Sequence, residues 1–204
     1  MIGNLILKEC LNRDDVNRVT CIVRKPLGIK HDKLVEVIHS DFLNYSAIEN
    51  ELQDQDVCFY CIGVYTGQVP NDEFNKITID YTKAFGDALK HNSPQSTFCF
   101  LSGQGADETE KSKVLFAKAK GIAENYLLKL NFKHTHIFRP GYIYPVKPRR
   151  EPNLFYGLMR AFYKPVSCIY PNIGVPSTVL AHKMVETGIN GGDKTIYENA
   201  DIRK

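Results

Sequence analysis

The sequence has little excess charge and no long apolar run, and each absence excludes a class of protein. Its 204 residues include 26 Lys and Arg against 23 Asp and Glu, so the formal net charge is only +3. No block of like charge is long, which argues against a nucleic-acid or membrane partner held by electrostatics. The apolar stretches are far shorter than the roughly 18 residues that a transmembrane helix needs. We therefore expect no nucleic-acid partner and no membrane association.

The sequence shows no internal repeat and no low-complexity tract, and we expect its opening residues not to be a secretory leader. Its opening residues, MIGNLILKECL, include an early charge and no small-residue cleavage site. Most of its cysteines lie in apolar segments, where free thiols behave as small hydrophobic side chains: Cys10, Cys21, Cys58, Cys61, Cys99 and Cys168. The composition predicts a reduced, cytoplasmic protein that forms a single domain over residues 1–204.

What is present is an alternation of short apolar runs with amphipathic segments. Strands are predicted at Arg18–Arg24, Leu34–His39, Val57–Ile62, Thr97–Leu101, His134–Phe138 and Lys194–Glu198. Helices are predicted at Leu5–Leu11, Tyr45–Leu52, Asp72–His91, Lys113–Leu130, Leu154–Tyr163 and Ser177–Ile189. This order requires βαβ crossovers. The predicted fold class is therefore α/β, with a doubly wound parallel sheet that is covered on both faces.

The last third of the chain is less regular. Pro140–Pro152 is rich in proline and arginine, and Lys164–Ser177 is again rich in proline. These segments predict a small C-terminal cap, spanning about residues 141–177, over one end of the sheet. The basic residues Lys147, Arg149 and Arg150 in this cap are interpreted as a solvated loop.

The glycine-rich turn that opens a dinucleotide-binding fold is largely missing. Such folds begin with an apolar strand and a turn of several glycines, and the first helix then holds the pyrophosphate at its N-terminus. Here Met1 and Ile2 precede Gly3, which runs directly into the apolar segment NLILKECL. Gly3 takes the place of the last glycine of that turn, where helix and strand pack closely. By itself one glycine is weak evidence for a cofactor.

Eight short segments, taken together and in order, carry a stronger signal. They read IGNLILKECL, VTCIVRKP, SDF, DVCFYCIG, IDYTKAFGDALK, FLSGQGAD, AKGIAE and HIFRPGYIY. In this order they resemble the atypical short-chain dehydrogenase/reductases, and most closely their Tat-interactive-protein-like branch of small NADP-binding oxidoreductases. The resemblance implies a Rossmann-like fold that binds a nicotinamide dinucleotide. It also implies a strand and turn ahead of Met1, in a longer gene product, because without that strand its neighbours would have unpaired edges.

The resemblance places the adenosine half of the cofactor against two strand ends. Arg24 and Lys25 lie where the adenosine ribose would lie, and basic residues there favour a 2′-phosphate and hence NADP. The alternative is that both belong to a solvated strand end. Asp41 and Phe42 lie where relatives hold the adenine ring, although Phe42 could equally cap the core.

The next strand end supplies Cys61, Ile62 and Gly63, and the glycine would let the backbone approach the cofactor closely. Cys58 and Cys61 have a spacing found in metal and redox sites. On a strand, however, this spacing points the two thiols to opposite faces, so they cannot chelate one ion together. His134 and His136 share a strand face without a third ligand nearby in sequence. We therefore expect no metal site.

The resemblance implies catalytic roles for Ser102 and Lys120. Short-chain reductases use a Ser to hold the substrate carbonyl, a Tyr to give the proton, and a Lys four residues after the Tyr that lowers its pKa and binds the nicotinamide ribose. Lys120 occupies the Lys position, but Phe116 occupies the Tyr position. Because Phe has no acidic proton, ordinary carbonyl reduction is in doubt.

Pro140 and Tyr142, in the segment HIFRPGYIY, are implied to lie near the nicotinamide. Tyr142 is an alternative proton donor, although packing in the core is the commoner role for such a tyrosine. Two functions remain open. One is an NADP-dependent oxidoreductase acting on an unknown small molecule. The other is a non-catalytic NADPH-binding regulator that contacts a protein partner or a second copy of the chain.

Overall fold

A computed structural model of the chain describes residues 1–146, 163 and 170–204. The strands in these residues are β1 Val19–Val23, β2 Leu34–Ile38, β3 Val57–Tyr60, β4 Thr97–Leu101, β5 His134–Arg139, β6 Tyr142–Tyr144, β7 Gly174–Pro176 and β8 Ile196–Glu198. The α-helices are α1 Ile2–Leu11, α2 Asn71–Asn75, α3 Tyr81–Asn92, α4 Leu115–Lys129, α5 Ser177–Asn190 and α6 Asn199–Ile202.

The strands pair in parallel throughout the described residues. A four-stranded sheet has the order β3-β4-β5-β8, and two-stranded sheets are formed by β1 with β2 and by β6 with β7. Parallel strands need long crossover connections, and helices supply them in the four-stranded sheet: α2 and α3 lie between β3 and β4, α4 lies between β4 and β5, and α5 precedes β8. The predicted α/β class with a parallel sheet is confirmed.

Separate hydrophobic cores cover the two faces of the central sheet. One contains side chains of β4, α3 and α4, namely Phe98, Phe100, Phe85, Leu89 and Leu127. The other contains side chains of β4, β5, α1 and α5, namely Cys99, Phe138, Ile6, Leu180 and Met184. Alternate residues of a strand point to opposite faces, so the continuous apolar run of β4 serves both cores. The sheet is therefore doubly wound, as the sequence predicts.

The parallel arrangement is interrupted between β1 and β3. Within the described residues β1 pairs only with β2, and β3 pairs only with β4. A cavity of about 1060 Å³ is lined by both of these strands and by α1 and α3. Each of the two strands therefore has an unpaired edge at this cavity.

Several predicted elements differ from the structure. The predicted helix Tyr45–Leu52 is wrong: the segment forms two 3₁₀ turns, Ser46–Ile48 and Asn50–Leu52. The Asn44 side-chain oxygen accepts the backbone N–H of Ser46 at 2.9 Å, a local bond that competes with a continuous helix. Two strands, β6 and β7, lie in the part of the chain that the sequence predicts to be irregular.

Other predictions cannot be compared with the structure. The predicted helix Leu154–Tyr163 lies outside the described residues except for Tyr163, and most of the predicted cap over residues 141–177 lies outside them as well. The same holds for Lys147, Arg149, Arg150 and Cys168.

Candidate active site at the carboxyl edge of the sheet

The structure brings three sequence-predicted residues together where β4 ends. Ser102 directly follows β4, and Lys120 on α4 donates a hydrogen bond from Nζ to the Leu101 carbonyl oxygen at 3.2 Å. Phe116, one turn earlier on α4, lies against Gly103: a β-carbon at Gly103 would be 2.5 Å from Phe116 Cζ. Ser102, Phe116 and Lys120 therefore lie near one another at one edge of the sheet.

Lys120 is an ammonium group in an apolar environment. Only 8% of the residue is exposed, and Nζ lies 4.8 Å from the centre of the Phe100 ring. Burial lowers the pKa of Lys120 from 10.5 to about 8, although the negative charge of Glu124 acts in the opposite direction. Near neutral pH this side chain can therefore both hold and release a proton.

The Ser102 hydroxyl donates a hydrogen bond to Glu124 Oε1, a carboxylate that is 1% exposed. Arg139, the last residue of β5, donates to the same carboxylate from Nε at 3.1 Å and also from Nη2. The guanidinium reaches two further carboxylates, Glu198 at 3.1 Å and Glu108 at 3.0 Å. These bonds raise the pKa of Arg139 above its ordinary value, with Glu124 as the largest cause. The buried carboxylate is thus fully compensated.

This network determines which atoms Ser102 offers to a ligand. A hydroxyl has one hydrogen and two lone pairs, and here the hydrogen is directed to Glu124. The oxygen lone pairs remain for a donor on the ligand. Holding a substrate carbonyl, the role implied by the resemblance, would require the hydroxyl to turn away from Glu124.

Sequence reasoning missed Glu124 and Arg139. Two signals could have found them. Glu124 lies four residues after Lys120, which puts both on one face of α4, and Arg139 is a cation directly after Ile137 and Phe138 of a predicted strand. Charged residues in apolar segments are rarely buried unless they are paired.

The residues implied for the adenosine half lie at the ends of β1 and β2. Arg24 and Lys25 are exposed just beyond β1. Asp41 is also exposed, and its carboxylate accepts the Leu43 amide at 3.1 Å. Phe42 is only 7% exposed and packs against aromatic rings, including that of Tyr81 at 5.6 Å. Of the two roles left open for Phe42, the geometry favours the one in the core.

Cys61, Ile62 and Gly63 follow β3 and lie between the two halves of the candidate site. Burial raises the pKa of the Cys61 thiol to about 12, against the opposing positive charges of the amino terminus and Lys120. A β-carbon at Gly63 would touch nothing within 4 Å, so the backbone there is open to a ligand. A β-carbon at Gly3 would meet Cys61 Cβ at 3.5 Å, an ordinary contact, so the described neighbours do not require glycine there.

Pro140 and Tyr142 are buried and follow β5, the strand that lies on the other side of β4 from β3. The Pro140 carbonyl accepts the Gln104 amide at 2.9 Å, which ties this turn to the residues after Ser102. Between them, Gly141 has no room for a side chain, because a β-carbon would lie 2.6 Å from the Ile173 carbonyl oxygen. The Tyr142 ring packs against Tyr163, with the ring centres 5.7 Å apart.

The cysteine and histidine pairs have the geometry that the spacing predicts. Cys58 packs in one core and Cys61 in the other, so their thiols point to opposite faces. His134 and His136 stack on one face with ring centres 6.0 Å apart. The other possible ligand group within the described residues is Glu9 with His182 and Glu186. His182 is exposed and Glu186 also pairs with Arg13, so this surface cluster has the features of an ion-pair network.

Comparison with known proteins gives the site its context. No protein-family model matches the chain. The chain is 28% identical to protein HTATIP2 of Rattus norvegicus over 205 residues, which covers 98% of this chain and 83% of that protein. It is 29% identical to the protein FMP52, mitochondrial, of Candida albicans over 146 residues, or 69% of this chain and 62% of the relative.

Solved structures agree in fold. The Bordetella bronchiseptica enzyme WbmH in complex with NAD⁺ has a TM-score of 0.69 at 16% identity, over 97% of this chain and 71% of the other. YIR035C, a short-chain dehydrogenase/reductase from Saccharomyces cerevisiae, has a TM-score of 0.65 at 14% identity. The match covers 95% of this chain and 88% of the other. The chain is therefore similar to HTATIP2 over most of its length, and it shares the fold of these NAD⁺-complexed and short-chain dehydrogenase/reductase structures.

In helix α4, the position four residues before Lys120 holds Phe116 and not the Tyr that the resemblance implies. The Phe116 ring fills the space against Gly103. Within the described residues, no helix combines the length and the apolar character needed to cross a bilayer. A cytoplasmic location stays a prediction, and one relative, FMP52, is a mitochondrial protein.

Proposed function

We propose that the chain binds NADP and acts as an oxidoreductase on a small molecule that carries a carbonyl or hydroxyl group. The main support is Lys120, a buried amine with a pKa of about 8 that lies beside Ser102 at the carboxyl edge of a parallel sheet. In open α/β sheets, ligands bind at this edge. When bound, the nicotinamide would supply or accept the hydride.

The residues present fit the two ends of such a dinucleotide. Arg24 and Lys25 offer exposed positive charge for a 2′-phosphate, and the open backbone at Gly63 permits close approach. Lys120 Nζ has donors beyond the one given to Leu101, and these can bind the nicotinamide ribose. Because Phe116 cannot give a proton, the proton must come from another group, and we assign this role to Lys120 Nζ.

Calorimetry with NADPH and NADH tests the cofactor assignment. We expect the unmodified protein to bind NADPH, and the double variant Arg24→Ala/Lys25→Ala to bind it at least about tenfold more weakly, with the affinity for NADH unchanged. Lys129→Ala, which removes an exposed charge at the end of α4, is the matched control and should change neither affinity. An unmodified protein that binds neither nucleotide would refute the proposal.

A second candidate is a non-catalytic NADPH-binding module that contacts a protein partner or a second copy. Two observations favour it: the Phe116 ring covers Gly103, and the Ser102 hydrogen is directed to Glu124. On this reading, the unmodified protein binds NADPH but turns over neither aldehydes nor ketones, and Phe116→Tyr gains turnover. Turnover by the unmodified protein would instead support the oxidoreductase.

A further inference from the structure

His136, in the first half of β5, is a buried histidine with one ring nitrogen that lacks a hydrogen-bond partner. The residue is 4% exposed, and its Nδ1 lies 2.7 Å from the Lys194 carbonyl oxygen. Because a carbonyl oxygen can only accept, Nδ1 carries the hydrogen, and in a neutral imidazole Nε2 is then an acceptor. Among the described residues Nε2 has no partner. The ring is therefore held in one neutral tautomer, with the Nε2 lone pair directed into packed protein.

The loop between α5 and β8, residues 191–195, covers this ring and is here called the cover loop. All five of its residues are exposed. A β-carbon at Gly192 would lie 3.0 Å from His136 Cε1, the ring carbon between the two nitrogens. The loop is bound to β5 by the Lys194 carbonyl and by the Thr195 carbonyl, which accepts the Ile137 amide at 2.7 Å. Because an exposed loop has few buried contacts, it opens at a low free energy.

The groups around the His136 ring supply little negative charge. The titratable and charged side chains of the elements packed against the ring are His134 on β5, Cys99 on β4, Lys183 on α5, and Asp193, Lys194 and Tyr197 of the cover loop and β8. Asp193 is the carboxylate of this set, and its Oδ1 accepts the Tyr197 hydroxyl at 3.0 Å. A proton on Nε2 would therefore be a buried positive charge without a bonded counter-ion while the loop is closed.

Proton binding by His136 depends on the cover loop. Burial lowers the pKa of His136 below its ordinary value of 6.5, and the stacked His134 acts in the same direction, whereas the Lys194 carbonyl and Asp193 oppose the shift. A ring that is exposed by opening of the loop would have the ordinary value. Below pH 6.5 the open form therefore binds more protons than the closed form. Closure of the loop is most favourable above this pH and weakens as the pH falls through the lowered pKa.

We propose that His136 and the cover loop form an acid-sensitive switch, in which a solvent proton binds Nε2 and the loop opens. The cover loop leads directly into β8, whose Glu198 bonds Arg139 at 3.1 Å. Opening of the loop in acid would therefore loosen the start of the strand that supplies one carboxylate to this guanidinium. The switch belongs to the fold itself and operates whether or not the protein binds a nucleotide.

Amide hydrogen exchange of the nucleotide-free protein, followed by NMR at pH 7 and at pH 5, tests the switch. The reporter amides are that of Ile137, which donates to the Thr195 carbonyl, and that of Lys194, which donates to the Tyr197 hydroxyl at 3.3 Å. Protection factors correct for the intrinsic effect of pH on exchange. We expect those of both reporters to be at least about threefold lower at pH 5. The Thr97 amide, which donates to the Asp56 carbonyl, is the internal control and should keep its protection.

His136→Asn is the variant that separates the proton from the loop. Its side-chain amide takes the place of Nδ1 and can still donate to the Lys194 carbonyl, but it does not titrate between pH 5 and pH 7. We expect this variant to lose the pH dependence of both reporters. His134→Asn, which changes the exposed histidine stacked on the same face, is the matched control and should retain most of it.

Nitrogen NMR of the His136 ring gives a check that needs no variant. The hydrogen should lie on Nδ1 at pH 7, and Nε2 should gain its proton over the same pH range in which the reporters lose protection. The proposal is overturned by a hydrogen on Nε2 at pH 7, by pH profiles that do not coincide, or by reporters that keep their protection at pH 5. A loss that persists in folded His136→Asn, or that Thr97 shares, would equally overturn it.

Discussion

The Lys120 ammonium group links the chemistry of the site to the stability of the fold. It is buried near Phe100 with a pKa of about 8, whereas the same group in an unfolded chain has a pKa near 10.5. Between these values the unfolded state binds more protons than the folded state. Stability contributed by this group therefore rises with pH from about 8 to about 10.5.

Replacement of this charge should stabilise the protein at neutral pH. Lys120→Met keeps the length of the side chain and removes the cost of burying a cation, which corresponds to about 3 kcal/mol for the pKa difference. We expect the free energy of unfolding in urea at pH 7 to be higher for the variant than for the unmodified protein. This difference should shrink as the pH is raised from 8 to 10. Lys118→Met, an exposed neighbour on α4, should give a small difference that does not vary with pH. A pH-independent difference for Lys120→Met would contradict the assignment.

The Glu124 carboxylate should be essential for stability because it compensates the buried Arg139. Glu124→Gln would leave the guanidinium without its buried counter-charge, a loss of about 3–5 kcal/mol in the free energy of unfolding. Glu108→Gln removes an exposed carboxylate from the same guanidinium and should cost at most about 1 kcal/mol. Urea unfolding measures the free energy of unfolding of both variants. Similar losses in the two variants would show that burial does not make the Arg139–Glu124 pair more important for stability than the Arg139–Glu108 pair.

At the scale of elements, helix α4 carries most of the site and must lie close to the preceding loop. A β-carbon at Gly121 would be 1.8 Å from the Asp107 carbonyl oxygen. The same loop is held by α4, since Asp107 donates its amide to the Ala117 carbonyl at 2.9 Å. Glycine at this position therefore lets α4 pack closely against the loop, and this packing fixes where Lys120 lies relative to the carboxyl edge of the sheet.

Gly121→Ala should destabilise the protein although alanine favours helices. The helix preference gains about 1 kcal/mol, but the backbone of α4 must move away from Asp107, and we expect a net loss of at least about 2 kcal/mol. Gly63→Ala, where a β-carbon meets nothing within 4 Å, should change stability by less than about 0.5 kcal/mol. Thermal unfolding compares the two, and equal stability of Gly121→Ala and the unmodified protein would refute the close contact.

Elements with strong local patterns were predictable, and those that depend on tertiary contacts were not. The apolar run TFCFL predicts β4 with its observed bounds, because a strand buried on both faces needs no polar alternation. The short strands β6 and β7 lack such a run and form through their mutual pairing. At the site, the i,i+4 spacing predicts that Phe116 and Lys120 share a helix face. The carboxylate bound by Ser102 could not be identified in the same way, since 22 residues separate Ser102 from Glu124.

At the scale of the whole molecule, the interrupted sheet predicts unequal local stability. The pair β1–β2 has no further strand beside it in the described residues, whereas β4 lies between β3 and β5. The residues of β1 are all partly exposed, but Thr97–Phe100 are buried. Cooperative units with few buried contacts open at lower free energy.

Hydrogen exchange of the unmodified protein should show this difference. We expect the amides of β1 and β2 to exchange at least about tenfold faster than those of β4 and β5, which approach the global unfolding limit. Peptide-resolved exchange followed by mass spectrometry measures both in one sample. Uniform protection across the strands would mean that the two sheets unfold as one unit.

The Arg139 guanidinium has a consequence for how distant parts of the chain depend on one another. It bonds Glu108 in a loop, Glu124 on α4 and Glu198 in β8, so one positive charge gathers three segments that are far apart in the sequence. A change in β8 that moves Glu198 would therefore alter the position of Arg139, and through the Arg139–Glu124 ion pair it would alter the hydrogen bond of the Ser102 hydroxyl. Strand β8 near the C-terminus therefore helps to hold the carboxyl edge of the sheet in place through the ion pair of Glu198 with Arg139.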